Sequence, residues 1–169
     1  MRKTFVPKDF KVPAKVGIGS DYYLVAITTK EVVEDWLTLT SNADAIIATR
    51  GGGSRKEWPY ICTLEENLKD LAWLELCANY NHLFSYILRS KKDNSYVGCI
   101  YIYLIELFYP EKADKYDVDF SFWAVQSELD KGNYSRIFNE LLNWLKKDWP
   151  FEESRIFLRN KNIPDGIKV

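Results

Sequence analysis

Between Asn133 and Trp149 the apolar residues Tyr134, Ile137, Phe138, Leu141, Leu142, Leu145 and Trp149 recur at helical spacing, which marks one buried face of an α-helix. Pro150 cannot extend that helix. Before it, Tyr116 to Val125 sets Val118, Phe120, Phe122 and Ala124 against Asp117, Asp119, Ser121, Trp123 and Val125, the two-residue repeat of a strand with a core face and a mixed face. After it, Arg155 to Leu158 is a short strand. A strand, a helix and a strand joined this closely form a parallel pair with a right-handed crossover.

The preceding chain supplies the rest of a mixed sheet. Asp21 to Thr28 is β-branched and aromatic and reads as a first strand. From Lys30 to Arg50, Val32, Val33, Trp36, Leu37, Ile46 and Ile47 follow helical spacing, as one helix or as two broken near Ser41-Asn42. Gly51-Gly52-Gly53-Ser54 reads as a mobile loop. Thr63-Leu64-Glu65-Glu66 is a capping box that starts a second helix, with Leu64, Leu68, Leu71, Leu74 and Ala78 expected on its buried stripe. His82 to Arg89 and Tyr96 to Leu107 are strands separated by the polar Ser90 to Asn94 turn, and so antiparallel neighbours. The expected core includes Trp36, Leu68, Leu71, Ile100, Ile102, Phe120, Phe122, Ile137, Leu141 and Leu145.

Length and charge exclude several classes of function. The 169 residues, 47% of them apolar, suit one domain with a sizeable core. With 23 Lys and Arg against 24 Asp and Glu, the chain lacks the positive field that nucleic-acid binding needs. No apolar run reaches the roughly 20 residues of a membrane helix. Cys62, Cys77 and Cys99 are odd in number, widely spaced and without a secretory signal, which points to free thiols in the cytoplasm. Residues 1–20, with five basic side chains, Pro7 and Pro13, read as an extended solvated arm, or as an edge strand around Phe10 to Val12. Residues 21–169 are expected to form the single folded domain.

Several stretches carry a resemblance. Phe10-Lys11-Val12-Pro13, Trp58-Pro59, Asn67-Leu68-Lys69-Asp70-Leu71-Ala72-Trp73, Val97-Gly98-Cys99-Ile100 and Phe122-Trp123-Ala124-Val125 resemble a group of GNAT-like bacterial proteins within the GNAT N-acetyltransferase superfamily. The resemblance implies an acyl-CoA N-acyltransferase fold of the α/β (α+β) class, a central mixed twisted sheet flanked by helices, and acetyl-CoA as cosubstrate. It implies transfer of an acetyl group to a small-molecule or peptide amine, or a non-catalytic relative that binds an acyl-CoA or a protein partner. It places pantetheine against the backbone of Trp123, Ala124 and Val125, and the diphosphate at Gly132, Asn133, Tyr134 and Ser135. There Leu129 stands for the usual Gln or Arg and Tyr134 for a small residue. Only Asn160 to Val169 follows the last strand, so the fold is expected to be truncated at that end, without the usual tyrosine acid. An unfinished sheet edge there makes a homodimer an expectation as well.

The diphosphate site also has a physical basis. A helix start offers free N–H groups and partial positive charge, and a glycine allows close approach. The plain alternative is that Asn133 caps the helix and Gly132 turns the chain. Within the resemblance Asp119 takes the position of an acidic residue on the fourth strand, and a carboxylate there could receive the acceptor's proton. The plain alternative is a solvated aspartate. Trp58 and Tyr60, in the loop before the second helix, are candidate acceptor contacts. His82 has no Ser/Asp partners in sequence to suggest a triad, and the Cys and His residues lack metal-ligand spacing.

Overall fold

The computed structural model describes residues 4–50 and 57–164. The Gly51-Gly52-Gly53-Ser54 loop therefore lies outside the described residues. The described strands form one sheet in chain order: β1 (Lys15–Ile18), β2 (Tyr22–Ala26), β3 (Leu83–Ser90), β4 (Tyr96–Leu104), β5 (Val118–Ala124) and β6 (Ile156–Leu158). Neighbours are antiparallel except β5 and β6, which pair in parallel from Val118↔Ile156 to Phe120↔Leu158. The helices are α1 (Val32–Ser41), α2 (Ala43–Thr49), α3 (Leu64–Asn79), α4 (Gln126–Asp130) and α5 (Tyr134–Asp148).

Each sheet face has its own core. The amphipathic α5 sends Ile137, Phe138, Leu141 and Leu145 onto Tyr86, Ile100, Ile102, Phe120 and Phe122. On the opposite face, Leu39 of α1, Ile46 of α2 and Leu71 and Leu74 of α3 gather over Ile87, Cys99, Tyr101, Tyr103 and Trp123. Gly98 lets β4 and β5 approach closely, since a Cβ there would lie 2.0 Å from the Trp123 carbonyl oxygen. The register against β3 slips at the same place.

Most local expectations hold, and three differ. The break between α1 and α2 falls at Asn42, and the Thr63 capping box is formed, with Thr63 Oγ1 accepting from Glu66 N at 3.2 Å. Lys15–Ile18, expected within a solvated arm, is instead an edge strand on β2, and Val6 is buried beside α5. The short α4 fills the stretch between β5 and α5, for which periodicity indicated no element. Leu64 and Leu68, both expected on the buried stripe, are 41% and 44% exposed, because α3 turns Asn67, Leu71 and Leu74 inward. Asn67 can occupy that face because its amide donates to Val32 O and Asp35 Oδ2, so an interior position has its polar groups matched. Cys62, Cys77 and Cys99 are free.

Candidate functional site

A cavity of ≈ 480 Å3 is lined by residues of α1, α3 and β4. Tyr101 and Tyr103 form its floor from β4, Trp58 and Trp73 stand at its sides, and Asp35, Asp70, Arg50 and Arg159 bring charge to it. β5 runs beside that floor, with Asp119 opposite Tyr103 and Ser121 opposite Tyr101.

Asp119 lies in this region but is wholly enclosed. Arg159 grips it with two nitrogens: Nε donates to Oδ1 at 3.0 Å and Nη2 to Oδ2. Burial pushes the Asp119 carboxyl above its usual range, against the pull of Arg159. Neither carboxylate oxygen opens on the cavity, and the group that does is its partner Arg159, whose guanidinium also stacks over Phe108 and Tyr109. Asp117, assigned by the sequence alternation to the same face as Asp119, pairs with Arg155.

The acid that does line the cavity from within is Asp35 on α1, 4% exposed. Burial raises its carboxyl above the usual range, while hydrogen bonds from Tyr96 and Asn67 oppose the rise. Tyr96 in turn stacks on Trp123 with ring centroids 5.8 Å apart. Asp35 thus reaches the carboxyl-terminal half of β5 through one phenol. Of the two loop aromatics, Trp58 lines the cavity, whereas Tyr60 is exposed and donates its hydroxyl to Asp44.

The edge between β5 and β6 has a distinctive course. After Leu158, Arg159 N still donates to Phe120 O at 2.9 Å. The next rung is then made by a side chain. Asn160 Oδ1 accepts from Phe122 N at 3.0 Å, and its Nδ2 donates to Phe122 O at 2.9 Å and to Tyr134 Oη at 3.0 Å. A side chain's length now separates the two backbones, and the departing chain is tied to the end of α2 by Lys161 N donating to Thr49 O. The strands therefore splay after three paired residues.

Solved structures share the overall fold. The chain matches the ribosomal L7/L12 alpha-N-protein acetyltransferase RimL in complex with coenzyme A at a TM-score of 0.58 and 16% identity, over 79% of this chain and 68% of that one. It matches the ribosomal-protein-S5-alanine acetyltransferase of Vibrio fischeri at 0.57 and 16%, over 80% and 68%. It matches the microcin C7 self-immunity acetyltransferase MccE in complex with acetyl-CoA and AMP at 0.57 and 13%, over 79% and 67%. The chain has the GNAT fold. No protein-family model and no curated protein matches the sequence.

On a GNAT fold the backbone expectations can be examined atom by atom. Val125 N donates to Val97 O, and Val125 O accepts from Glu128 N, so both groups are engaged. Trp123 pairs with Cys99, facing β4. Because backbone groups alternate along a strand, Ala124 shares the orientation of Phe122, toward the splay. At the start of α5, Asn133 N is taken by Glu128 O and Gly132 N by Leu129 O. The amides of Tyr134, Ser135 and Arg136 meet no acceptor among the described residues. Gly132 turns at φ +73 with open space where a Cβ would stand. Tyr134 does not cover the helix start, because its ring stacks on Phe122 at 5.3 Å between centroids. Glu128 lies close by: burial pushes its carboxyl up, but bonds from Lys131, Asn133 and Tyr22 outweigh this and hold it below the usual range.

Asp35, Arg50 and Asn67 were missed by sequence reasoning. Each is a polar residue on an otherwise apolar helix face or at a helix end, and only the packing of α1 on α3 and α2 on β5 turns them inward.

Proposed function

We propose that this protein is an N-acetyltransferase that moves the acetyl group of acetyl-CoA onto an amine held in the ≈ 480 Å3 cavity. The observation that carries this reading is the splay of β5 from β6 beside that cavity, with the open amides of α5 following at its end. Ala124 would pair with the pantetheine, and the amides of Tyr134, Ser135 and Arg136, after the unobstructed Gly132, would receive the diphosphate. Acetyl-CoA supplies the activated acyl group. Two of the similar proteins are acetyltransferases of ribosomal proteins, L7/L12 and S5, and an acceptor amine on a small molecule or a peptide suits this cavity in the same way.

Transfer requires the amine to be positioned and to lose a proton before attack. Asp35 is assigned the proton, since it lines the cavity and its buried carboxyl is shifted toward neutral pH. Asp119 is assigned a positioning role, holding Arg159 at the cavity wall. Asp35→Asn lowers the rate by roughly 10²-fold at neutral pH, with the loss shrinking at high pH, where free amine forms unaided. Asp119→Asn lowers the rate without changing the shape of the pH profile. A flattened profile in Asp119→Asn, with Asp35→Asn unaffected, returns the base to Asp119.

A second reading, a non-catalytic acyl-CoA binder, draws support from Asn160, which already occupies the backbone of Phe122 within the splay. Melting with and without acetyl-CoA comes first, because a ligand at 100 times its Kd stabilises by about 2.7 kcal/mol. Thiol release across a panel of amines then separates the enzyme from the binder. Gly132→Asp weakens CoA binding by like charge, whereas Gly132→Asn, which tolerates the same backbone, preserves most of it. Equal affinity of the two variants moves the diphosphate elsewhere.

A further inference from the structure

Two arginines face the cavity, and among the described residues only one is hydrogen-bonded to a carboxylate. Arg159 is held by both oxygens of Asp119. Arg50, at the end of α2, is 8% exposed, and no carboxylate among the described residues pairs with it. Its Nε donates to Ser121 Oγ at 3.1 Å, and its guanidinium lies 4.2 Å from the ring centroid of Tyr101 and 5.8 Å from that of Trp58. A guanidinium carries five N–H donors. The four on the terminal nitrogens meet no acceptor among the described residues, and Arg50 lines the cavity.

Enclosing a cation without a carboxylate in hydrogen-bond contact is costly, and ring faces, one neutral hydroxyl and the more distant Asp119, whose oxygens Arg159 already takes, offset only part of that cost. A planar fork with free donors is the side chain best suited to a carboxylate or phosphate. The same cavity carries Asp35 and Asp70 from the helices above. Its charges are thus of both signs. Its volume falls within the roughly 300–1,000 Å3 of small-molecule sites, and its walls are rich in aromatic rings.

We infer that Arg50 binds an anionic substituent, carboxylate or phosphate, of the molecule that occupies this cavity, which is an amine bearing an acid group. The inference rests on the acceptor reading of the cavity but is tested by binding alone. Its ammonium would face Asp35 while its acid meets Arg50.

Calorimetric titration of two matched pairs tests this without acetyl-CoA: L-phenylalanine against phenethylamine for the carboxylate, and phosphoethanolamine against ethanolamine for the phosphate. The acidic member of at least one pair binds at least about tenfold more tightly than its neutral counterpart, as expected for hydrogen bonds to a charged group. Arg50→Met abolishes the preference and Arg50→Lys keeps part of it. Should Arg50→Met fail to fold, competition by acetate and by inorganic phosphate on the native protein decides. Competition against the acidic member supports the site, and no competition overturns it. Equal binding within both pairs, tighter binding of the neutral members, no binding by any of the four, or a preference that survives Arg50→Met also overturns it. Preference for the acid in binding without thiol release from acetyl-CoA removes the transfer reading and leaves the Arg50 site standing.

Discussion

The two faces of the sheet are built to different rules. Under α5 the contacts are almost wholly apolar, from Tyr86 through Ile100 and Phe120 to Phe138 and Leu145. Under α1 and α3 the same strands present Tyr101, Tyr103, Asp119 and Ser121, and the helices add Asp35 and Asn67. Burial is nearly as deep on both faces, with Asp119 and Phe120 at 0% alike. The α5 face holds the fold together by close packing, while the other spends stability on keeping charged groups and a hollow in place. What the contrast teaches is that burial alone does not identify a core. Where β5 is enclosed on both faces, the chemistry of each face says which one supports a site.

The sharpest break of the comparison comes from one strand with a substitution toward each side. Phe120→Ala leaves a void under α5 and lowers the unfolding free energy by about 3–5 kcal/mol. Tyr103→Phe, on the cavity floor, removes a hydroxyl from a hollow and changes stability by less than about 1 kcal/mol. Urea unfolding of both variants checks this, and equal losses would show that the cavity face packs as tightly as the other.

Asp119 refines the picture from the polar side. Asp119→Asn leaves Arg159 buried without its counter-charge and costs roughly 3 kcal/mol or more. Replacing the pair together, Asp119→Leu with Arg159→Met, recovers most of that loss while abolishing activity. Such a result means that the pair is kept for the site. A double variant as unstable as the single one instead gives the pair a structural role.

The smallest effect is a dependence on pH. The Asp35 carboxyl is raised in the folded protein by burial, so its contribution is fully present below the unfolded value near 3.9 and is lost as pH rises through the folded value. Native stability relative to Asp35→Asn therefore declines as pH rises from about 4 through the raised folded value. Denaturant midpoints across that range measure it, and a difference that grows in the native protein's favour with pH contradicts the assignment.

These outcomes bear on how far the chain could be read unaided. Periodicity located α5, the strand on each side of it and their parallel pairing, because an apolar stripe and a two-residue alternation report directly on which faces are buried. The Thr63 box was legible because it is a local hydrogen-bond pattern. Leu68 was misjudged for the converse reason: a count of apolar residues cannot foresee that Asn67 will find Asp35 across a helix interface.

Local pattern along the chain therefore fixed the order of elements from β2 onward apart from α4, the crossover and the glycine at the start of α5, all of which depend on neighbours a few residues apart. Only the tertiary structure decided the site. It brought Arg50 to Ser121 across 71 positions, closed Arg159 onto Asp119, and left Asp35 as the buried acid of the cavity. The physical reason is that a polar side chain becomes a functional group through what it is enclosed with, and its partners here lie far away along the chain.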